Sequence, residues 1–208
     1  VSLLDLAPTW LDMAGADPLP QADGRNLFAE AAPRDAVYSA RDRCDATQDR
    51  IRCVRTQHYK YIRNFHPERP YTQTNEYKTR QYPVLTLLEV LHEKGELTPA
   101  QARFMAPQRP PEELYELASD PHEIHNLADK ETHRDTLAAL RGRLVAWIER
   151  TDDQGAIPED AAEVKRAQAR DAEQWKKAVE RLGFDPHEEP ERYLEWWGAR
   201  LDELKCSG

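Results

Sequence analysis

The first fifteen residues constrain the fold of this chain more than any other segment. They predict a helix that begins near Ser2, with Asp5 in a capping-box position, and ends at Gly15 as a left-handed C-cap. Its apolar side chains crowd one side: Leu4, Leu6, Ala7, Trp10, Leu11 and Ala14. A helix this apolar at its first residue needs a partner in a hydrophobic core. We therefore expect a buried helix whose partner precedes Val1, in a larger protein of which this chain is the C-terminal part.

Short segments rich in β-branched and aromatic residues predict a small sheet. The predicted strands are residues 36–40, 51–56, 59–64 and 114–117. Only Gln57 and His58 separate the second strand from the third, which predicts an antiparallel hairpin. The basic residues of this hairpin are expected on an outward or ligand-facing side: Arg50, Arg52, Arg55, Lys60 and Arg63.

A helix at 131–151, with apolar residues at spacings of three and four, is expected to cover one face of this sheet. The insertion at 65–112 has a predicted helix at 84–94 and another that begins after Thr98. Long insertions of this kind are commonly binding elements or disordered. The expected fold class is α+β: a small antiparallel sheet of about four strands packed against a C-terminal helix, with a helical insertion and a helical tail.

The composition changes after residue 152, which predicts a helical C-terminal extension at 153–208. Its predicted helices are 158–182 and 188–205, and the second has an apolar stripe: Tyr193, Trp196, Trp197, Leu201 and Leu204. We expect this stripe to pack within the same polypeptide, with a homo-oligomer contact as the alternative. Asp152 and Asp153 are expected in a solvated linker.

Charge and cysteine content exclude several classes of protein. The net charge of −9, with no separate cluster of Lys and Arg, argues against a nucleic-acid surface. No apolar run approaches the ~18 residues that a membrane span requires. Cys44, Cys53 and Cys206 form no Cys-x-x-Cys pair, and they are expected to be free or buried thiols.

Two motifs in order resemble sulfatases of the alkaline phosphatase superfamily. The first is Val1–Gly15 followed by the Asp-Gly-Arg-Asn-Leu sequence of residues 23–27, and the second is residues 113–127 with an Asp-Pro turn. The likeness covers residues 1–152, which would be the C-terminal subdomain of a sulfatase. Within it, 1–15 would be the last helix of the catalytic domain, and 36–151 the antiparallel sheet and helix with the insertion at 65–112. Residues 50–63 resemble the paired strands before a long insertion in heparan N-sulfatase (sulfamidase) and its bacterial relatives.

The resemblance implies hydrolysis of sulfate esters or sulfamates, on a carbohydrate. Sulfatases use a formylglycine made from Cys or Ser in a Cys/Ser-x-Pro/Ala-x-Arg motif, with Ca²⁺ or Mg²⁺ held by carboxylate and amide oxygens. None of the three cysteines lies in that motif. We therefore expect the nucleophile and metal site upstream, and this chain alone to be inactive. The resemblance also implies a periplasmic or extracellular location, or a lysosomal one in a eukaryote.

Two other functions stay open at this point. One is a noncatalytic binding or assembly module. The other is a phosphodiester or phosphonate hydrolase of the same superfamily, because the C-terminal motifs do not report the nucleophile.

Two predicted loops carry the candidate substrate-binding residues. Residues 39–45 resemble a loop in bacterial sulfamidase-like sulfatases, where a histidine often stands at the place of Cys44, and residues 64–71 form the second loop. The candidates are Arg41, Asp42, Arg43, Asp45, His66 and Arg69. Guanidinium groups suit bidentate contacts to oxyanions. The alternatives are a surface salt-bridge loop and a rigid connector.

His122 and His125 lie three residues apart beside Asp120 and Glu123, a spacing that resembles a metal-binding pair. We favour capping and turn formation there, because these residues belong to the Asp-Pro turn. The resemblance implies no metal role for that turn.

Overall fold

The computed structural model describes residues 1–29 and 34–206, and side chains as far as residue 202. Two compact units share the chain. The first, the sheet–helix unit, comprises residues 1–40, 52–63 and 112–153. The second, the insertion–tail unit, comprises residues 41–51, 64–111 and 154–208. The division into 1–152 and 153–208 stays a prediction.

Four strands form one antiparallel sheet in the order β1-β2-β3-β4. Their bounds are β1 Val37–Cys44, β2 Thr47–Arg55, β3 Tyr59–Asn64 and β4 Glu112–Glu116. The register of the last pair runs from Tyr59 opposite Glu116 to Arg63 opposite Glu112. The predicted strands are confirmed, but β1 and β2 are longer than predicted and each contributes residues to both units.

The core of the sheet–helix unit lies between the sheet and α5 (Arg134–Arg150), which follows a 3-10 turn at Glu131–His133. Its buried residues are Val54, Tyr61, Leu114, Leu137, Leu140 and Leu144. Tyr38 stacks on Trp147 with ring centroids 5.3 Å apart. Burying each aliphatic side chain contributes about 1.5–3 kcal/mol, so this interface supplies much of the stability of the unit. The predicted α+β class and the predicted covering helix are confirmed.

The opening helix begins as predicted. Ser2 and Asp5 form a capping box on a 3-10 turn that leads into α1 (Leu6–Met13), and Gly15 has φ +64°. Within the described chain its apolar side is not covered, since Leu4 and Trp10 are 59% and 63% exposed, and its burial against a partner that precedes Val1 stays a prediction.

Polar residues of this segment are buried instead of its apolar stripe. Asp5 forms an ion pair with Arg34 and accepts the backbone N–H of Arg25, while Thr9 Oγ1 accepts the N–H of Leu27. These bonds fix residues 25–27 against the polar side of α1. The apolar side consequently faces away from the remainder of the sheet–helix unit.

The end of α5 overturns two expectations. Arg52, expected to face outward, has a side chain that is only 1% exposed and donates two hydrogen bonds to Asp153, of 2.5 and 2.8 Å. Asp153 is therefore not part of a solvated linker. The reason is the chain reversal after α5: Asp152 adopts φ +48°, and the N–H of Asp153 bonds the carbonyl of Ile148, as in a Schellman motif.

Five helices form most of the insertion–tail unit. They are α2 Glu76–Gln81, α3 Pro83–Glu93, α4 Pro99–Ala102, α6 Ala161–Leu182 and α7 Pro190–Cys206. All but the short α2 were predicted, and Gly183 ends α6 with φ +76°. Tyr193 on α7 is 1% exposed and donates to the carbonyl of Thr79, 2.7 Å away. Tyr193 of the predicted stripe therefore packs on the insertion, whereas Leu201 is 47% exposed; an oligomer contact stays a prediction.

Cys44 and Cys53 are free thiols, as expected, and burial raises the pKa of Cys53 to about 11. The side chain of Cys206 lies outside the described residues. Within the described part of the chain, every helix is too short or too polar to span a bilayer.

Candidate functional site

All six predicted substrate-binding residues lie in the insertion–tail unit. Arg41, Asp42 and Arg43 belong to β1 and not to a loop, which corrects the prediction. The hairpin extends as far as a two-residue turn at Asp45 and Ala46. Because neighbouring residues of a strand point to opposite faces, Arg41 and Arg43 share one face and Asp42 lies on the other.

The turn between β1 and β2 is held from two directions. Asp45 has φ +53°, a left-handed conformation that aspartate tolerates better than most residues. Asn75, the N-cap of α2, donates to Oδ2 of Asp45 at 3.1 Å and to the carbonyl of Cys44 at 3.3 Å. The N–H of Ala46 donates to Asp171 of α6, 3.2 Å away. Asp45 therefore serves the turn itself, and its carboxylate is already engaged.

A buried ion pair lies behind this hairpin. Asp49 of β2 pairs with Arg109, and their side chains are 0% and 1% exposed. Gln73 donates to the other carboxylate oxygen at 2.9 Å, and the backbone N–H of Arg50 donates at 2.8 Å. Burial alone would raise the pKa of Asp49, but the hydrogen bonds from Arg109 and Arg50 and the charges of Arg109 and Arg41 hold it below its usual value. Asp49 is therefore a fixed anion.

The same ion pair positions the loop at 64–71. Arg109 donates from its side chain to the carbonyl of His66 and from its backbone to the carbonyl of Pro67, at 3.3 and 3.0 Å. Arg69 donates to the carbonyl of Gln48 at the start of β2. The predicted candidate His66 is therefore held through its backbone by Arg109, the partner of Asp49. The predicted candidate Arg69 is held through its side chain by the strand that carries Asp49.

Arg43 and Arg69 each have a carboxylate partner. The Arg43 Nε lies 3.0 Å from Glu159, and the Arg69 Nε lies 3.7 Å from Glu68. His66 Nδ1 is 3.3 Å from the same Glu68 oxygen. About a third of each arginine side chain is exposed, so a ligand would have to share or displace these carboxylates.

Arg50 lies next to this loop in a different environment. Its guanidinium carbon is 4.0 Å from the centre of the Phe65 ring, and its backbone carbonyl accepts the N–H of Phe65 at 3.0 Å. From the sequence, Arg50 is expected only on a general outward or ligand-facing side. Asp49 and Arg109 had no local signal at all, because their partners are distant along the chain.

The described residues do not form a metal site. In the described part of the chain, no three His, Cys, Asp or Glu side chains come together as a metal site would require. Asp120 accepts the N–H groups of Ile124 and His125, at 3.0 and 2.7 Å. The favoured interpretation of this segment as a turn, and not a metal pair, agrees with these bonds.

Comparison with known proteins finds relatives among the sulfatases. No family model matches the chain. An ulvan-active sulfatase of Formosa agariphila is 34% identical over 161 residues, which cover 76% of this chain and 27% of that protein. The chain is a homologue of sulfatases. A second ulvan-active sulfatase of the same organism is 27% identical over 157 residues, or 72% of this chain and 29% of that protein.

The chain therefore spans somewhat more than a quarter of the length of these relatives. Among solved structures, a putative sulfatase from Bacteroides thetaiotaomicron aligns with 74% of this chain and 26% of its own, at 22% identity and a TM-score of 0.48. The predicted resemblance to sulfatases is confirmed. The closer likeness to heparan N-sulfatase stays a prediction.

Proposed function

We propose that this chain is the C-terminal part of a sulfatase that hydrolyses sulfate esters or sulfamates on a carbohydrate. The supporting observation is the 34% identity over 161 residues to an ulvan-active sulfatase. In this proposal the 208 residues help to form the substrate cleft and do not carry out the reaction themselves.

The proposed contribution to the cleft is the end of the β1–β2 hairpin together with the loop at 64–71. Arg41, Asp42, Arg43, Asp45, His66 and Arg69 are the proposed substrate contacts. A hairpin turn held by Asn75 and Asp171, and a loop held by Arg109, keep these groups preorganised. Preorganisation lowers the entropic cost of binding, which favours recognition of a flexible saccharide.

The proposed reacting groups lie upstream of Val1. A formylglycine would supply the nucleophile, and Ca²⁺ or Mg²⁺ would hold the sulfate and offset its charge. Supporting this, the sequences after Cys44, Cys53 and Cys206 lack the Cys-x-Pro-x-Arg pattern. Among the described residues no three possible metal ligands come together, so the role that we propose for them is binding and orientation.

The proposed partner of the opening helix is the catalytic domain of the same polypeptide. Leu3, Leu4, Trp10 and Met13 are between 59% and 85% exposed. Burial against an upstream domain would remove this apolar surface from water at about 25 cal/mol per Å². The proposed location, from the family, is the periplasm or the cell exterior.

The proposed function is tested by comparing this chain with the longer polypeptide that would contain it. We expect a Cys-x-Pro-x-Arg or Ser-x-Ala-x-Arg motif near the start of that polypeptide, and sulfate release from a sulfated saccharide measured by ion chromatography. The 208-residue chain alone should release none. Sulfate release by the isolated chain would overturn the proposed division of labour.

A binding or assembly module remains the alternative class. A longer polypeptide that binds sulfated saccharides, lacks the motif and releases no sulfate would favour this alternative.

A further inference from the structure

We infer that Arg50, supported by Phe65, is an oxyanion-binding residue for an anionic group of the saccharide, a sulfate or a carboxylate. This inference deepens the proposed function, since it assigns a specific contact within the same substrate surface. Arg50 and Phe65 are not among the six substrate-binding candidates expected from the sequence.

The first argument concerns charge compensation. Arg43, Arg69 and Arg109 pair with Glu159, Glu68 and Asp49, respectively. Among the described residues, Arg50 has no carboxylate within ion-pair distance. Its nearest carboxylate in sequence, Asp49, is occupied by Arg109 and by the amide of Gln73. An external anion therefore meets the positive charge of Arg50 without first displacing a glutamate.

The second argument concerns hydrogen bonds. The Nε of Arg50 is buried from solvent and has no hydrogen-bond acceptor among the described residues. A buried donor without an acceptor costs about as much as a lost hydrogen bond, so its presence in a folded protein calls for an explanation. Because the Nε is closed to solvent, an oxyanion from outside the fold would bind the Nη groups and would reach the Nε only after a local rearrangement.

The third argument concerns orientation. The guanidinium makes a cation–π contact with Phe65, with 4.0 Å between its central carbon and the ring centre. The backbone bond from Phe65 to the carbonyl of Arg50 ties the two residues together, at 3.0 Å. A guanidinium held in this way loses little further freedom when an anion binds.

The fourth argument is position. Phe65 immediately precedes His66 in the loop that Arg109 anchors. An anion on Arg50 would thus lie beside the loop that presents His66 and Arg69. Each sulfated or uronic sugar carries its anionic group on a neutral ring, so one strong cation flanked by hydrogen-bonding groups fits such a ligand.

The experiment is a titration of the 208-residue chain, with the arginine Nε–Hε resonances followed by NMR. Three disaccharide probes share one backbone: one with a sulfate, one with a uronic acid carboxylate, and a neutral one. We expect the Arg50 Nε–Hε resonance to shift with at least one anionic probe and not with the neutral one. The probe that shifts it identifies the anionic group.

Variants link the shift to this side chain. We expect Arg50→Met to weaken binding of the active probe by about tenfold or more, because a hydrogen-bonded charge contact is lost. Arg50→Lys should recover only part of the affinity, since an ammonium lacks the planar fork. Phe65→Leu should also weaken binding, with the charge unchanged. Arg55→Met is the matched control, since Arg55 lies on the same strand but pairs with Glu123, and we expect it to stay within about twofold of the unsubstituted chain.

The inference is overturned if neither anionic probe shifts the Arg50 resonance, or if Arg50→Met binds as tightly as the Arg55→Met control. This readout needs no catalysis, so it separates the two proposals. Binding at Arg50 without sulfate release by the longer polypeptide would overturn the proposed function alone. Sulfate release with no role for Arg50 in binding would overturn this inference alone.

Discussion

The buried pair of Asp49 and Arg109 gives a prediction that follows directly from its burial. Arg109→Met retains most of the aliphatic length and removes the guanidinium, which leaves the Asp49 carboxylate, 0% exposed, with only the Gln73 amide and the Arg50 N–H as hydrogen-bond donors. Removing one partner of a buried ion pair typically costs about 3–5 kcal/mol. We expect Arg109→Met to lower the free energy of unfolding at pH 7 by that amount.

The pH dependence of this loss has a definite sign. In the unsubstituted chain the pKa of Asp49 is lowered, so its ionisation stabilises the fold above the unfolded-state pKa of about 3.9 and the contribution is lost as pH falls through the folded-state pKa. In Arg109→Met, burial is no longer opposed by the guanidinium, so the pKa of Asp49 rises. Protonation then relieves the buried charge, and the stability difference should shrink between pH 7 and pH 4.

Urea unfolding followed by circular dichroism measures both effects. Arg166→Met is the matched control in the same unit, because the Arg166–Glu163 pair has side chains 67% and 58% exposed. We expect that control to change stability by no more than about 0.5 kcal/mol. A cost for Arg109→Met that equals the control, or a difference that does not change with pH, would refute the argument that Asp49 is a buried, guanidinium-stabilised anion.

Three further substitutions test other parts of the fold. Asp153→Ala removes the bidentate acceptor of the buried Arg52 and should cost about 3–5 kcal/mol in urea unfolding, whereas a cost below 1 kcal/mol would contradict a structural role for the pair. Asp120→Asn should lower the free energy of unfolding by about 1–2 kcal/mol at pH 7, because an amide accepts the two N–H groups more weakly than a carboxylate. The pKa of Asp120 is lowered, so the difference in stability between the two chains should fade as Asp120 is protonated below about pH 3.9. Gly24→Ala places a Cβ 1.9 Å from a backbone carbonyl oxygen and should cost at least about 1–3 kcal/mol in thermal unfolding, whereas the Gly142→Ala control meets nothing within 4 Å and should be neutral or stabilising.

Local patterns were sufficient to predict most of the secondary structure. The hairpin strand Tyr59–Asn64, the caps at Thr98 and Gly183, and the apolar spacing of α5 all act within a few residues, so the sequence shows them directly. The helix at Glu76–Gln81 was missed because it is six residues long and has no apolar period; its one signal is the N-cap Asn75.

Long-range polar pairs could not be predicted in the same way. Arg109 lies 60 residues from Asp49, and Arg52 lies 101 residues from Asp153. In the sequence, a charged residue on a strand is read as facing solvent, and a charged residue after a helix is read as part of a linker. Only the fold brings each opposite charge into a buried position, where pairing becomes obligatory.

The candidate site shows the same division. Residue type and motif were enough to select the hairpin and the loop at 64–71, and the structure places both in one unit. They were not enough to show that Asp45 is engaged with Asn75, or that Arg43 faces Glu159. The charge balance of each guanidinium depends on its neighbours in space, and this balance distinguishes Arg50 from Arg43 and Arg69, which were selected first.

The most direct test of the central claim is a parallel assay of the longer polypeptide on two substrates, a sulfated saccharide and a phosphonate monoester. The account predicts a higher kcat/KM for sulfate release. It also predicts that Arg43→Met with Arg69→Met raises KM for the saccharide and leaves kcat nearly unchanged, because these residues would bind the substrate and not react with it. A higher kcat/KM for the phosphonate, or an unchanged KM in the double variant, would contradict the account.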